Sequence, residues 1–367
     1  MSDLQKLADV VSLYLGNLAV KPRRCSRVRS HLSTCRACLE VCPTNGIKLS
    51  ETGLEVENCI DCGLCTSACV TGALVWTNPS PLQLIEKVTQ KIQEFEEAVI
   101  YCGPCSPKKK LKQGIEVPCL GSIPWECWLQ LLLLSDQVKV LLPGDPCPTC
   151  RVKGGGESWR RQLGEAERIT GKRITFVANA KTRRRRPSGG SVDTERRRFL
   201  RSVVDGLGKV PEIVIPGFLG GDEGNKITAD RVTISERRQV LLNLIREYPP
   251  FRERILIKLP VMVGNCQFCR ACSILCPQGA LKQNKTGDVV KLELNVSACS
   301  GCNLCATVCF HKALELKSFR AMKLGEGIIC VTEGQDFSCP ECGELYTAVR
   351  GGKCFRCRNK MRYAFGR

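Results

Sequence analysis

Cysteines recur at fixed short spacings in two segments of the chain, and this pattern limits the possible folds more than any other feature. The C-terminal segment has the run Cys-x2-Cys-x2-Cys-x3-Cys-Pro, and 22 residues later the same run without the proline. The N-terminal segment has the same arrangement, but its first run lacks the leading cysteine because Leu32 stands there. Two copies of one pattern indicate an internal duplication.

The abundance of cysteine is typical of a metal-binding protein. The chain has 27 cysteines in 367 residues but only two histidines, His31 and His311, which disfavours histidine-based metal catalysis. The first residues do not form a signal peptide, and polar side chains interrupt the longest apolar stretch, 125–143, so we expect a cytoplasmic chain without a membrane span. In a reducing compartment, cysteines at C-x2-C spacing are metal ligands rather than disulfides.

The formal charge of the chain is strongly positive. Lysine and arginine number 55 against 36 acidic residues, which gives +19 with every cysteine counted as neutral. Metal-bound thiols are deprotonated. If the cysteines bind six metal centres through four thiolates each, the net charge of the protein falls by about 12. Much of the excess positive charge would then offset the negative charge of the bound metal groups.

Each cysteine run has the spacing that binds an iron-sulfur cubane. Three thiolates at C-x2-C-x2-C spacing bind one cluster, and the cysteine before proline binds the neighbouring cluster. Cys25, ten residues before Cys35, can replace the ligand that is missing at Leu32. The four predicted 4Fe-4S ligand sets are Cys25, Cys35, Cys38 and Cys69; Cys42, Cys59, Cys62 and Cys65; Cys266, Cys269, Cys272 and Cys309; and Cys276, Cys299, Cys302 and Cys305.

Two alternatives apply to these sets. Structural zinc is bound by two C-x2-C pairs, so runs of this kind favour iron-sulfur clusters over zinc. The displaced position of Cys25 leaves room for a cluster that is bound by three cysteines instead of four.

The runs resemble those of the bacterial two-cluster ferredoxins, and the resemblance covers residues 22–78 and 258–320. Val70 and Phe310 stand where proline often follows the last cysteine, which changes the local turn but no ligand. The resemblance implies a relay of single electrons between 4Fe-4S centres. Every iron would be bound by thiolate, with no position open to a substrate.

Between the two copies, alternating helix and strand patterns predict a small, mainly parallel α/β domain. Ser80-Pro81 is typical of a helix start. Further helices are predicted over 125–134 and 158–169, and strands over 98–101, 115–118, 138–142 and 174–177. Ligands bind at the carboxyl ends of parallel strands, so five cysteines are expected to converge there: Cys102, Cys105, Cys119, Cys147 and Cys150.

Three motifs of this domain resemble the delta-type iron-sulfur subunit of methyl-viologen-reducing hydrogenase, which links hydrogenase to heterodisulfide reductase in methanogens. The motifs are YCGPC at 101–105, VPCLGSIPWE at 117–126 and LPGDPCPTC at 142–150. The resemblance implies a 2Fe-2S centre, with zinc as the alternative. Since that family usually has a wider spacing in the last motif, the sequence leaves open whether Cys147 or Cys150 is the ligand.

The C-terminal tail carries two C-x2-C pairs that are typical of a zinc ribbon or a rubredoxin, and we expect zinc, with iron as the alternative. The four residues are Cys339, Cys342, Cys354 and Cys357. Two cysteines remain outside all sets. Cys127 lies beside two tryptophans in a predicted helix, and Cys330 has no partner at metal spacing, so both are predicted to be core residues.

Together these patterns predict an α+β multidomain fold. Two dicluster ferredoxin-like modules flank the α/β domain, and a zinc-ribbon or rubredoxin-like knuckle follows. The predicted segments are an N-terminal helix at 1–21, the modules at 22–78 and 258–320, the α/β domain at 80–180, a basic linker with two short helices at 181–257, and the knuckle at 336–360.

The sequence has no nucleotide-binding motif, so flavin and nicotinamide sites are expected on partner subunits. We therefore expect a non-catalytic electron-transfer subunit of an anaerobic oxidoreductase complex. The resemblances suggest hydrogenase, formate dehydrogenase or heterodisulfide-reductase-like partners. One competing interpretation is a nucleic-acid-associated iron-sulfur or zinc regulator that uses the arginine run 183–186, but few aromatic side chains accompany that run. Another is a scaffold that donates its clusters.

Overall fold

A computed structural model of the chain describes residues 17–50, 53–107, 110–144, 146–178 and 232–363, of which 360–363 as backbone only. The described residues form two compact units. The first unit contains described residues of 17–25, 36–178 and 235–255, and the second those of 26–35, 232–234 and 256–363. Among the described helices, none has the length and apolar character needed to cross a membrane. The arginine run 183–186 lies outside the described residues.

The elements up to residue 178 are, in chain order, β1 (Leu18–Val20), α1 (Ser26–Arg29), α2 (Ala37–Val41), β2 (Ile47–Ser50), β3 (Gly53–Val56), α3 (Leu64–Ala68), β4 (Leu74–Trp76), α4 (Pro81–Phe95), β5 (Ala98–Cys102), β6 (Gly114–Val117), α5 (Trp125–Leu133), β7 (Val138–Leu141), α6 (Gly155–Thr170) and β8 (Thr175–Val177).

The elements after residue 232 are α7 (Glu236–Glu247), α8 (Phe251–Arg254), β9 (Leu256–Met262), α9 (Ala271–Ile274), β10 (Leu281–Thr286), β11 (Val289–Asn295), α10 (Leu304–Thr307), β12 (Leu314–Arg320), β13 (Ile328–Ser338), β14 (Leu345–Ala348) and α11 (Phe355–Tyr363). Helices α7 and α8 belong to the first unit, and the others of this group belong to the second.

One antiparallel topology occurs twice, once in each unit. In the first unit β1 pairs with β4 and β2 with β3, and in the second β9 pairs with β12 and β10 with β11. In both copies a helix that carries cysteines lies between the first two strands and another between the last two: α2 and α3 in one copy, α9 and α10 in the other. The duplicated cysteine runs therefore lie in duplicated backbone topology.

The predicted helix over 1–21 is wrong at its C-terminal end. Leu18–Val20 forms β1 and pairs with Leu74–Trp76 of β4. Pairing satisfies the backbone hydrogen bonds of this segment and buries Leu18, and a local sequence pattern does not reveal such a distant partner. Residues 1–16 lie outside the described residues.

The α/β domain contains the predicted parallel sheet, with strand order β6-β5-β7-β8. The central strand β5 is buried along its whole length, as expected for a parallel sheet that is covered on both faces. Helix α4 begins with a capping box, because the Ser80 hydroxyl accepts from the Gln83 N–H and the Gln83 side chain accepts from the Ser80 N–H. This sheet fixes the edge where the middle cysteines lie.

A buried ion pair attaches helix α7 to the first unit. Arg237 donates to both carboxylate oxygens of Glu126 in α5 at 3.0–3.2 Å, and to the carbonyl of Ser67 in α3 at 2.6 Å. The two charged side chains are only 9% and 10% exposed. The segment 181–257 was predicted to be a basic linker with two short helices, and its described part contains two helices, α7 and α8, which pack into this unit as part of a compact body.

The second unit extends its β-sheet into the tail. Strand β13 pairs with β11 on one side and with β14 on the other, so the sheet has the order β10-β11-β13-β14. Cys330 lies on β13 opposite Glu293, beside a β-bulge, and it is exposed. The prediction that Cys330 is a core residue is wrong, because Leu292 and Leu294 take the buried face of β11 and Glu293 faces the other way.

We predict that Arg237→Met lowers the free energy of unfolding by about 3–5 kcal/mol, because it leaves the Glu126 carboxylate buried without its partner. Arg246→Met is the matched control, since Arg246 lies on the same helix but is exposed, and a change of about 0.5 kcal/mol or less is expected there. Denaturant unfolding of the metal-loaded proteins measures both. Equal losses in the two variants would refute a structural role for the ion pair.

Candidate metal centres

The four cysteines of the tail lie together at the end of the extended sheet. Cys339 and Cys342 occupy the turn between β13 and β14, while Cys354 and Cys357 lie at the start of α11. All four sulfur atoms lie within 4.8 Å of one another, and the Cys342 and Cys354 sulfurs are 3.7 Å apart. Tetrahedral zinc with Zn–S bonds of about 2.3 Å requires sulfurs about 3.8 Å apart. The predicted grouping is confirmed, and this group of four cysteines could bind a metal ion.

Hydrogen bonds prepare one thiol of the tail set for ionisation. The N–H of Cys354 donates to the Cys339 sulfur at 3.3 Å, and with the N–H groups of Glu341 and Cys342 it lowers the pKa of the Cys339 thiol. Removal from water, followed by the neighbouring thiols, raises the pKa of Cys357. Metal binding at neutral pH must therefore displace protons from this set.

We predict that the tail site loses zinc progressively as the pH falls from about 8 to about 5, because protons compete with the ion for the thiols. A chromogenic chelator measures the zinc released from the loaded protein at each pH. Cys330→Ser should leave the profile unchanged, because Cys330 lies outside the set, whereas Cys342→Ser should release zinc over the whole range. Release that does not depend on pH would contradict thiolate ligation.

The carboxyl edge of the parallel sheet carries a cavity that is lined by all five middle cysteines. Cys102 ends β5 and Cys105 lies in the turn after it, Cys119 follows β6, and Cys147 and Cys150 follow β7. Together they line an open cavity of about 370 Å³. The five cysteines converge as the strand order predicts, and position alone does not decide between Cys147 and Cys150.

Donors from α6 and from the turn before it contact two of these sulfurs. The indole N–H of Trp159 donates to the Cys147 sulfur at 3.4 Å, and the N–H of Val152 donates to the Cys150 sulfur at 3.4 Å. A Cβ atom at Gly155 would lie 2.9 Å from the Cys119 sulfur, so the backbone of α6 touches the site there. The positive end of a helix and N–H donors both stabilise thiolates.

Burial raises the pKa of three thiols of this cavity, those of Cys102, Cys105 and Cys119. Burial raises the pKa of Cys119 to about 12, and the nearby Cys102, Cys62 and Cys147 thiols act in the same direction, against a hydrogen bond from Gly121. Burial, followed by the neighbouring Cys102, also raises the pKa of Cys105 to about 12. A donor set of this kind ionises together only when a metal group compensates the negative charge.

We predict that Trp159→Phe lowers the reduction potential of a redox-active group bound in this cavity, because hydrogen bonds to ligand sulfur favour the more negative, reduced state. Trp128→Phe is the matched control: Trp128 is fully buried in the same domain, and its indole N–H has no hydrogen-bond partner among the described residues. Redox titration followed by EPR measures both variants. An equal shift in both would exclude a specific effect of the Trp159 N–H.

The second predicted set of the N-terminal copy lines another cavity. Cys42, from the first run, meets Cys59, Cys62 and Cys65, from the second run, around an open space of about 380 Å³ whose wall includes Leu18 and Trp76. Burial raises the pKa of Cys65, and the neighbouring thiols Cys62 and Cys59 raise it further. The structure thus places the cysteine before Pro43 with the other run, as the crossed pattern predicts.

Three members of the first predicted set pack on one core. Cys25, Cys38 and Cys69 are partly buried against the cluster that contains Cys65 and Leu74. The fourth member, Cys35, is exposed and belongs to the second unit.

The two C-terminal sets show the same crossing. Burial raises the pKa of Cys272 to about 12, and the thiols that act in the same direction are Cys266, Cys269 and Cys309. Burial also raises the pKa of Cys305, and the thiols that raise it further are Cys299, Cys302 and Cys276, followed by Cys272. Each buried thiol is therefore surrounded by the members of its predicted set, and the two sets lie side by side.

Backbone N–H donors to cysteine sulfur recur at equivalent positions, and the sequence analysis missed them. Ala73, Ala280 and Ala313 each donate at 3.3 Å to the cysteine four residues earlier, which are Cys69, Cys276 and Cys309. In each case the residue before the donor has a positive φ: Gly72, Gly279 and Lys312. The signal in the sequence is the Gly-Ala or Lys-Ala pair that follows each of these cysteines.

Cys127 lies apart from the cysteine sets. It is fully buried in α5, and its thiol donates to the Pro81 carbonyl at 3.7 Å. Burial raises its pKa well above the ordinary value, and the charged groups that act on it are Glu126, Arg237 and Glu236. This environment agrees with the prediction that Cys127 is a core residue.

Comparison of the chain with models of protein families, with curated proteins and with solved structures finds no match. The geometry of the cysteines therefore carries the functional argument. Among the described residues, only the tail set brings three or more potential ligand atoms within 4.8 Å of one another. The other sets have wider sulfur spacings than a single tetrahedral ion requires.

Proposed function

We propose that this chain is an iron-sulfur electron-transfer subunit. It relays single electrons between partner subunits of an anaerobic oxidoreductase complex of the hydrogenase, formate dehydrogenase or heterodisulfide-reductase-like kind. The observation that carries this proposal is the grouping of cysteines from two runs around the buried thiols Cys65, Cys272 and Cys305, in sets that do not bring three sulfurs within 4.8 Å of one another. Thiolates spread around a larger core are the ligands that a cubane needs.

The proposal comprises four 4Fe-4S clusters, two in each copy of the repeated topology, on the ligand sets that the cysteine spacing predicts. In the copy of the first unit, Cys42, Cys59, Cys62 and Cys65 line one cavity, and in the copy of the second unit the crossed neighbours of Cys272 and Cys305 define two sets. Bound clusters would supply one-electron oxidation and reduction. The chain's own residues would bind them, exclude water and donate N–H groups to the ligand sulfurs.

We propose a 2Fe-2S centre in the middle cavity and a single metal ion in the tail. A 2Fe-2S centre needs four cysteines, and five line the cavity. Cys102, Cys105 and Cys119 lie in the two motifs whose spacing resembles that of the delta-type hydrogenase subunit. The tail set matches the tetrahedral spacing of one ion, and we propose zinc there, with a structural role in holding the end of the sheet and with iron as the alternative.

The alternative of a nucleic-acid-binding regulator depends on the arginine run 183–186. Those residues lie outside the described part of the chain, and no observation on the described residues favours that function. We therefore propose electron transfer alone, and we assign no catalytic residue to this chain.

We predict that anaerobically purified protein contains about 16 irons in cubane clusters, about two more in the middle site, and about one zinc. Cys25→Ala should remove one cluster or convert it to a three-iron form with a changed EPR signal. Cys127→Ala is the matched control, because Cys127 is a buried cysteine outside every set, and it should leave metal content and EPR signals intact. Iron near about eight per chain, or the reverse order of the two variants, would contradict the assignment.

A further inference from the structure

We infer that Ser67 and Gly121 are positioning residues that hold the cysteine set of α3 against the cysteine cavity of the parallel sheet, so that Cys62 and Cys119 join the two candidate sites into one array. The inference rests on the proposed function, because it concerns metal groups at both sites. It goes beyond that function by stating which two sites are adjacent within the first unit.

A shared apolar cluster connects the two sites. Cys62 and Leu64 of the N-terminal copy form one buried cluster with Cys119 and Val152 of the α/β domain. Cys62 and Cys119 are each only 8% exposed. Cys150 of the middle cavity packs against the same cluster. Ligand candidates of the two sites therefore lie in one shared apolar cluster.

Two glycines allow the backbones of the two sites to approach. A Cβ atom at Gly63, which has a φ of +70°, would lie 2.7 Å from the Ser122 Cβ atom. A Cβ atom at Gly121 would lie 2.6 Å from the Leu64 side chain and 2.9 Å from the Gly155 carbonyl oxygen. Side chains do not tolerate such distances, so the observed contact between the two turns requires glycine at both positions.

Hydrogen bonds through Gly121 fix this contact. The Ser67 hydroxyl donates to the Gly121 carbonyl at 2.7 Å, and the N–H of Gly121 donates to the Cys119 sulfur at 3.4 Å. From the other side, Arg237 donates to the Ser67 carbonyl at 2.6 Å. Gly121 thus donates its N–H to the Cys119 sulfur of the middle site, and its carbonyl accepts from Ser67 in the helix of the other site.

This arrangement gives the two sites a direct connection inside the chain. Electronic coupling decreases steeply with distance, and the two sets approach each other through the buried Cys62 and Cys119 side chains. An electron lost by a reduced group at one site would be gained by an oxidised group at the other. No bond forms or breaks and no proton moves.

The test is the magnetic interaction between the two reduced centres in the anaerobically purified holoprotein. EPR line broadening and enhanced spin relaxation report this interaction, and they do not require a partner subunit or an activity assay. Wild-type protein is expected to show the interaction. Ser67→Ala should weaken it while iron and zinc contents stay unchanged, because the variant removes the hydroxyl that contacts the Gly121 carbonyl at 2.7 Å and, within its own helix, the Leu64 carbonyl at 3.0 Å.

Thr66→Val is the matched control. The Thr66 hydroxyl donates to the Gly63 carbonyl at 2.7 Å within its own turn, so this variant should leave the interaction unchanged. Gly121→Ala is a second variant that forces the two turns apart and should reduce the interaction further. If Gly121→Ala binds less iron than the wild-type protein, the comparison of Ser67→Ala with Thr66→Val tests the inference instead.

The outcomes distinguish the inference from the function on which it rests. A fully loaded wild-type protein without magnetic interaction between these two centres would overturn the inference and leave the proposed electron-transfer function in place. Equal spectra for Ser67→Ala and Thr66→Val would overturn the positioning role of Ser67. Wild-type protein without iron at these sites would instead overturn the proposed function.

Discussion

The crowding of buried cysteine thiols is the constraint on which the structure depends. Burial, followed by the proximity of other thiols, raises the pKa values of Cys105 and Cys272 to about 12, and similar surroundings act on Cys119. A bound metal group would replace the protons of such thiols and link several chain segments at once, so the proposed metal binding would be coupled to folding.

The backbone next to the cysteine sets directs N–H groups toward the sulfur atoms. Residues with positive φ, such as Gly72 and Gly279, turn the chain so that the following N–H points back to the cysteine. Charge-assisted hydrogen bonds of this kind are stronger than neutral ones, so they stabilise a thiolate more than a thiol. These turns and their hydrogen bonds to sulfur therefore hold the short helices that carry the cysteines, in addition to apolar packing.

The described residues of the first unit form one compact body, in which the N-terminal copy of the repeated topology and the α/β domain are in contact. Ser67 and Gly121 connect the N-terminal copy to the parallel sheet, and Arg237 attaches a helix from much later in the chain to both. Arg237 is hydrogen-bonded to Ser67 and Glu126 at once, so α7 is attached directly to α3, the helix that carries Cys65.

The sequence by itself determined the grouping of the tail cysteines, because the spacing within each C-x2-C pair is a local property, and the elements of the α/β domain, because periodicity reports one buried face. It did not determine strand β1, whose partner lies more than fifty residues away, or the exposure of Cys330. Nor did it indicate that Cys62 packs with Cys119. Those features depend on which surfaces meet in the folded chain, and only long-range packing of segments decides that, so the tertiary structure alone reveals them.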